Sequence, residues 1–128
     1  MNPRAFVAVL LAFACNSHEA HSTVSSAIRS RLSGESKVSV SCDTYTRDLV
    51  ASTKPFHFAE RYPKGLFIIC GETVAGNDAR ATVFHLQYHE QRQQVLIASE
   101  AKVELTRHRS GWKITGWRTA LVEPPPRS

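Results

Sequence analysis

The period of the apolar positions changes along this chain, and each change predicts an element. Val24, Ala27, Ile28 and Leu32 recur at spacings of three and four, with Arg29 and Ser30 outside the stripe. That is one face of an amphipathic helix. Gly34 follows as its expected stop. From Lys37 to Tyr45 the period drops to two. Val38, Val40 and Cys42 fall on one side, and Lys37, Ser39, Ser41 and Asp43 on the other. This is the pattern of a half-buried strand. Thr46 to Lys64 has no clean period. Asp48 to Ser52 has room for a helical turn, and Pro55 and Pro63 bracket an aromatic loop, Phe56-His57-Phe58 through Tyr62.

Beyond Leu66 the pattern predicts an antiparallel meander. Leu66 to Val74 begins apolar on both faces, as a central strand does. Ala75-Gly76-Asn77-Asp78 supplies residues that accept the positive φ of a tight hairpin. Arg80 to His89 alternates, with Phe84, Leu86 and Tyr88 on one face and Val83, His85, Gln87 and His89 on the other. Glu90 to Gln94 is a polar turn. Val95 to Leu105 places Val95, Ile97, Ala101, Val103 and Leu105 inward and Glu100, Lys102 and Glu104 outward. Arg109-Ser110-Gly111 turns the chain into Trp112 to Val122, where a bulge at Gly116 would let both Trp112 and Trp117 find cover. The tail Glu123 to Ser128, with Pro124, Pro125 and Pro126, cannot join a sheet.

The expected fold class is therefore α+β: an N-terminal amphipathic helix packed on an antiparallel meander sheet of about five strands, since neither element can bury its apolar side alone. The closing segment VELTRHRSGWKITGWR, residues 103–118, is similar to the last hairpin of nuclear transport factor 2-like and cystatin-like domains. That resemblance implies a shape and carries no function.

The start of the chain has a different logic. Arg4 precedes an unbroken apolar run from Ala5 to Ala14, which ends at Cys15. A bilayer span needs ~20 apolar residues, so this run reads as an export signal. Leu11-Ala12-Phe13-Ala14-Cys15 resembles the lipobox of bacterial lipoproteins, with Ala12 where that family usually carries Leu. The resemblance implies acylation of the Cys15 thiol and removal of residues 1–14. Two other readings stay open: ordinary cleavage after the small-x-small Ala12-Phe13-Ala14, giving a soluble secreted protein, and an uncleaved cytosolic terminus. The expected organisation is a signal peptide over 1–14, a polar tether over 15–22, one domain over 23–122 and a Pro-rich tail over 123–128.

Cys15, Cys42 and Cys70 are the three cysteines. An odd thiol is a liability in an oxidising compartment. With Cys15 carrying lipid, Cys42 and Cys70 are left to pair. Two buried free thiols are the competing reading. A bridge would close a loop of about 29 residues, for roughly 3–4 kcal/mol.

Charge narrows the partners. The formal net charge of +5 falls to +4 once Arg4 is removed with the signal. The excess is mild and scattered, with its densest cluster at Arg107-His108-Arg109. It favours an anionic surface or an acidic partner by steering, and lacks the basic stripe expected for nucleic acid.

The six histidines offer little chemistry. On a strand, His85 and His89 stand ~13 Å apart, too far for one ion. His18 and His21 flank Glu19 in the tether, a poor preorganised site. His57 and Glu60 could form an acid/base pair. No serine sits in a Gly-x-Ser-x-Gly elbow, and Gly71-Glu72 lacks the glycine repeat of a phosphate loop. No metal, no cofactor and no catalytic group are expected. The stronger candidate is the aromatic segment Phe56, His57, Phe58 and Tyr62, which either folds back as a lid on the core or stays exposed for a partner.

The leading expectation is an exported, periplasmic lipoprotein anchored in the membrane through Cys15. It would act by binding an envelope protein, as a secretion-system component or an immunity-type protein. The alternative is a cone-shaped domain that holds a small apolar ligand under the helix, near Tyr88, Trp112 or Trp117, or acts as a weak enzyme there.

Overall fold

The computed structural model describes residues 23–44, 55–124 and 126. The signal, the tether with Cys15, the turn expected over Asp48 to Ser52 and most of the tail beyond 124 lie outside the described residues. Helix α1 covers 23–34. Val24, Ile28 and Leu32 on its apolar face are all fully buried. It ends two residues later than Gly34 alone would dictate. Lys37 N–H donates to the Leu32 carbonyl at 2.9 Å and Ser36 N–H to the Ser33 carbonyl at 3.0 Å. With Ser36 at φ 60° this is a Schellman cap, so Ser36 rather than Gly34 takes the left-handed position.

Five strands form a single sheet in chain order: β1 (Ser39–Ser41), β2 (Leu66–Ala75), β3 (Asp78–His89), β4 (Gln94–His108) and β5 (Gly111–Leu121). Strands β2 to β5 make the expected antiparallel meander. Strand β1 instead pairs with β2 in parallel, Val40 opposite Ile68. The chain between them is long enough to cross back over the sheet and return in the same direction. The α+β class holds, with a mixed sheet that is mostly antiparallel.

The strand expected over Lys37 to Tyr45 is cut to its middle. Val38 remains 52% exposed. At Ser41 the side chain caps a single helical turn, α2 (Cys42–Thr44): Thr44 N–H donates to Ser41 Oγ at 3.1 Å. A serine acceptor at the N-cap competes directly with continuation of a strand.

The expected aromatic loop is a helix, α3 (Pro55–Arg61). Pro55 lacks only an N–H that a first-turn residue does not use, and its fixed φ suits that position. Phe58 and Tyr62 then lie one turn apart, with Tyr62 N–H donating to the Phe58 carbonyl at 2.7 Å. Pro63 ends the helix. Gly65, at φ 86°, threads the chain into β2. A Cβ there would run into His85 Nε2 and approach the Leu86 carbonyl to 2.6 Å.

The core sits in two layers, one on each sheet face. Under α1, Val24, Ile28 and Leu32 pack on Ile69, Ala81, Val103, Leu105 and Trp112. The alanines at 79, 81 and 101 leave room for the helix to lie close. On the opposite face Phe58 packs on Leu66, Ile68 and Leu86, with Val40, Tyr62, Phe84, Tyr88 and Val95 around them. Each fully buried aliphatic side chain contributes about 1.5–3 kcal/mol.

Two bulges distribute side chains between these layers. Thr115 is the extra residue on β5, so that Ile114 faces Leu105 and Gly116 faces Glu104. Trp112 and Trp117 consequently share the α1 face, as expected from the bulge placed at Gly116. Ala98 is the extra residue on β4, with Ile97 opposite Leu86 and Ser99 opposite His85. This corrects the expected register: Val95 and Ile97 belong to the face away from α1, while Ala101, Val103 and Leu105 belong beneath it.

Candidate functional site

The face of the sheet that α1 leaves uncovered carries the candidate site. Its first half is an apolar groove of about 320 Å³ lined by Cys42, Ile68, Cys70, Phe84, Leu86, Val95 and Ile97. Three strands set this lining. Ile68 lies opposite Phe84 and Leu86 opposite Ile97, so their side chains stand on two neighbouring rungs of one sheet face. The Ala98 bulge swings Ile97 onto this face, where it stays 41% exposed. At the β1 side the sulfurs of Cys42 and Cys70 meet at disulfide distance, with their Cα atoms 4.9 Å apart. They wall one end of the groove.

Beside the groove the same face turns polar. A second hollow of about 490 Å³ is lined by Gly71, Arg80, Thr82, Lys102, Glu104 and Arg118 together with Ala81 and Val103. Cross-strand register again sets the row: Thr82 opposite Lys102, and Lys102 opposite Arg118. Lys102 Nζ reaches Glu100 at 2.8 Å and Thr82 Oγ1 at 3.3 Å. Arg118 reaches Glu104 at 3.5 Å. These are solvent-exposed pairs, each worth about 0.2–1 kcal/mol. Their role in the site is to present both signs of charge next to an apolar strip. Arg80 adds a third cation to this face.

The expected binding residues are split by the fold. Phe58 is buried, 3% exposed, and serves the second core layer. Tyr62 is half-buried with its ring 5.1 Å from that of Phe58. His57 is exposed on α3. The side chain of Phe56 lies outside the described residues. Phe58 and Tyr62 therefore fold back onto the sheet as one edge of the apolar layer. Glu60 is also exposed on α3, and no cavity described here encloses it with His57.

The histidines have structural surroundings. His85 stacks on Phe67 at 4.1 Å between ring centroids, and its Nε2 lies 3.1 Å from the Lys64 carbonyl. The His89 Nδ1 is buried with no hydrogen-bond partner among the described residues. Among the described residues no group of three His, Cys, Asp or Glu is placed to hold a metal ion. Away from the site, Glu35 has its carboxyl pKa lowered by the hydrogen bond and charge of Lys37, 2.9 Å away.

The aromatic residues expected near a ligand divide between the two sheet faces. Trp112 packs under α1 with Arg107 4.8 Å above its ring, and Trp117 is covered by Arg31 at 4.5 Å. Tyr88 lies on the other sheet face, so it cannot line one cavity with either tryptophan. No family model matches this chain, and no curated protein or solved structure matches it either.

Alternation puts Phe84, Leu86 and Tyr88 on one face, but unbroken alternation along β4 would put Val95 and Ile97 with Ala101, Val103 and Leu105 and so hides the groove. No glycine or proline near Ala98 marks the bulge.

Proposed function

We propose that this protein is a binding module of the bacterial envelope, exported, anchored through an acylated Cys15, and engaging a protein partner with the sheet face that α1 leaves open. A secretion-system component or a toxin bound by its immunity protein fits this reading. The observation that carries the partner assignment is the unequal use of the two faces. One is packed solid beneath α1. The other keeps an apolar groove alongside paired charges. An apolar strip with a polar rim is how protein interfaces are built. The groove is open to solvent along Ile97, where a partner side chain can enter laterally. Proximity of the Cys42 and Cys70 sulfurs supports the oxidising compartment that export requires.

A photo-crosslinking residue in place of Ile97, in the producing cell, tests the interface. The outer face of α1 at Ser30 serves as control. The expected result is one discrete adduct from position 97 that is absent from position 30. The purified partner should then bind the Ile97→Asp variant at least about tenfold more weakly, the scale of losing one buried apolar contact. Equal adducts from both positions, or equal affinity of wild type and variant, would contradict the reading.

A second reading rests on size. A groove of about 320 Å³ is at the lower end of small-ligand pockets, roughly 300–1,000 Å³. A small apolar molecule retained in native mass spectra, and displaced by Ile97→Asp, would favour it.

A further inference from the structure

The densest cationic cluster lies at the end of the molecule where the chain from Cys15 enters the fold. Strands β4 and β5 are joined at Arg109-Ser110, with His108 opposite Gly111. Residues 106–113 hold Arg107, Arg109 and Lys113, with His108 beside them and no acid. All four side chains are exposed. Gly111 abuts Thr23, the first described residue of α1: a Cβ on Gly111 would sit 3.9 Å from Thr23 Cγ2. The β2–β3 turn lies alongside, its Asn77 carbonyl accepting from Arg107 N–H at 2.8 Å. The acid on that neighbouring turn is Asp78, opposite Thr106.

Cys15 precedes Thr23 by eight residues, which reach at most about 28 Å when fully extended. A lipid on Cys15 would therefore keep this end of the domain within one domain diameter of the bilayer. Two features keep the cations presented there. Arg107 stacks over the Trp112 ring at 4.8 Å on the α1 face of the hairpin, and Lys113, one residue on, belongs to the other face, so the cations flank the turn on both sides. Thr106 and Lys113 pair across the last rungs of the hairpin, fixing the Lys113 stem on a rigid strand.

We propose that the β4–β5 turn is a docking surface for anionic lipid headgroups, with Arg107, Arg109 and Lys113 as its contact residues. Charge complementarity and the short connection to Cys15 select a bilayer over a soluble anion. The geometry of the inference rests on the anchor reading above, while the lipid preference can be measured without an acyl group. The turn would set which way the domain stands on the membrane. A single attachment point leaves that orientation free, and a polybasic contact supplies the second signal.

The test uses the full-length, unacylated chain with vesicles of phosphatidylcholine alone or of phosphatidylcholine mixed with phosphatidylglycerol. The ratio of the two partition coefficients cancels the contribution of the apolar residues 5–14. Each cation near an anionic surface is worth about fivefold, so Arg107, Arg109 and Lys113 together should multiply the ratio by a factor on the order of 100 at low salt, over whatever Arg4 and the α-amino group contribute. It should collapse when salt screens the surface. The triple variant Arg107→Gln, Arg109→Gln, Lys113→Gln should lower the ratio by a factor on the order of 100, leaving the part owed to Arg4 and the α-amino group. The double variant Lys102→Gln, Arg118→Gln, on the open sheet face, should leave it nearly unchanged. A wild-type ratio near one overturns the proposal and returns these cations to an acidic protein partner. So does a double variant that loses as much as the triple one, because net charge would then be responsible. Failure of the anchor is read separately, from the mass of the mature N-terminus. A phosphatidylglycerol-dependent ratio without acylation discards the anchor and keeps the turn. An acylated chain with a ratio near one does the reverse.

Discussion

Ser36 holds a backbone conformation that its Cβ opposes. Its φ of 60° places it in the left-handed region, which costs a non-glycine residue about 1–2 kcal/mol. The helix still ends there because the two Schellman hydrogen bonds satisfy the carbonyls of Leu32 and Ser33. The Ser36→Gly substitution should relieve the strain at some cost in unfolded-chain entropy. The net expectation is a gain of about 0.5–1 kcal/mol, read as a higher midpoint in urea with an unchanged slope. A loss of stability would mean that the serine side chain contributes to the cap. Glycine at 34 was the visible stop signal in the sequence. The actual stop lies two residues on, since cap geometry depends on φ at one position and serine gives no notice of it. The cysteines were more legible. Count and compartment pointed to Cys42 and Cys70, and the fold brings their sulfurs together from α2 and β2, 28 residues apart in sequence.

Among the elements, period was readable wherever it was unbroken. Val24, Ile28 and Leu32 marked α1, and the alternation of residues 80–89 marked β3. Two elements were obscured by local chemistry. Pro55 and Pro63 looked like the brackets of a loop, but one starts α3 and the other stops it. The Ala98 bulge reverses the parity of β4 between Ile97 and Ser99, where no residue type announces it. Deleting Ala98 should therefore be far more damaging than replacing it. Without the extra residue, either Val95 and Ile97 move beneath α1 or Ala101, Val103 and Leu105 move away from it, because a one-residue slip changes the face of every following side chain. The deletion should abolish the cooperative urea transition, whereas Ala98→Ser should leave it within about 0.5 kcal/mol of wild type. A deletion variant that unfolds cooperatively at the wild-type midpoint would refute the role given to the bulge.

At the scale of the whole molecule, the two surfaces lie toward opposite ends of the sheet. Strand β3 runs from Asp78, beside the basic turn, to His89, past the groove residues Phe84 and Leu86. The distance from Asp78 to Leu86 is about 26 Å at ~3.3 Å per residue. A domain standing on its β4–β5 turn would hold the groove away from the bilayer, where an envelope protein can reach it. The α+β architecture of this account was legible in the hydrophobic pattern. The open groove was not, because it depends on register across three strands rather than on any one segment. The envelope role proposed for the groove requires that the chain be processed at Cys15 and reside outside the cytoplasm. The most direct test is the intact, non-reduced mass of the protein isolated from the membrane fraction of the cells that make it. The account predicts a chain of residues 15–128 carrying acyl groups on Cys15 and lacking the two thiol hydrogens of Cys42 and Cys70. A chain that still begins at Met1, with both of those thiols open to alkylation, would contradict it.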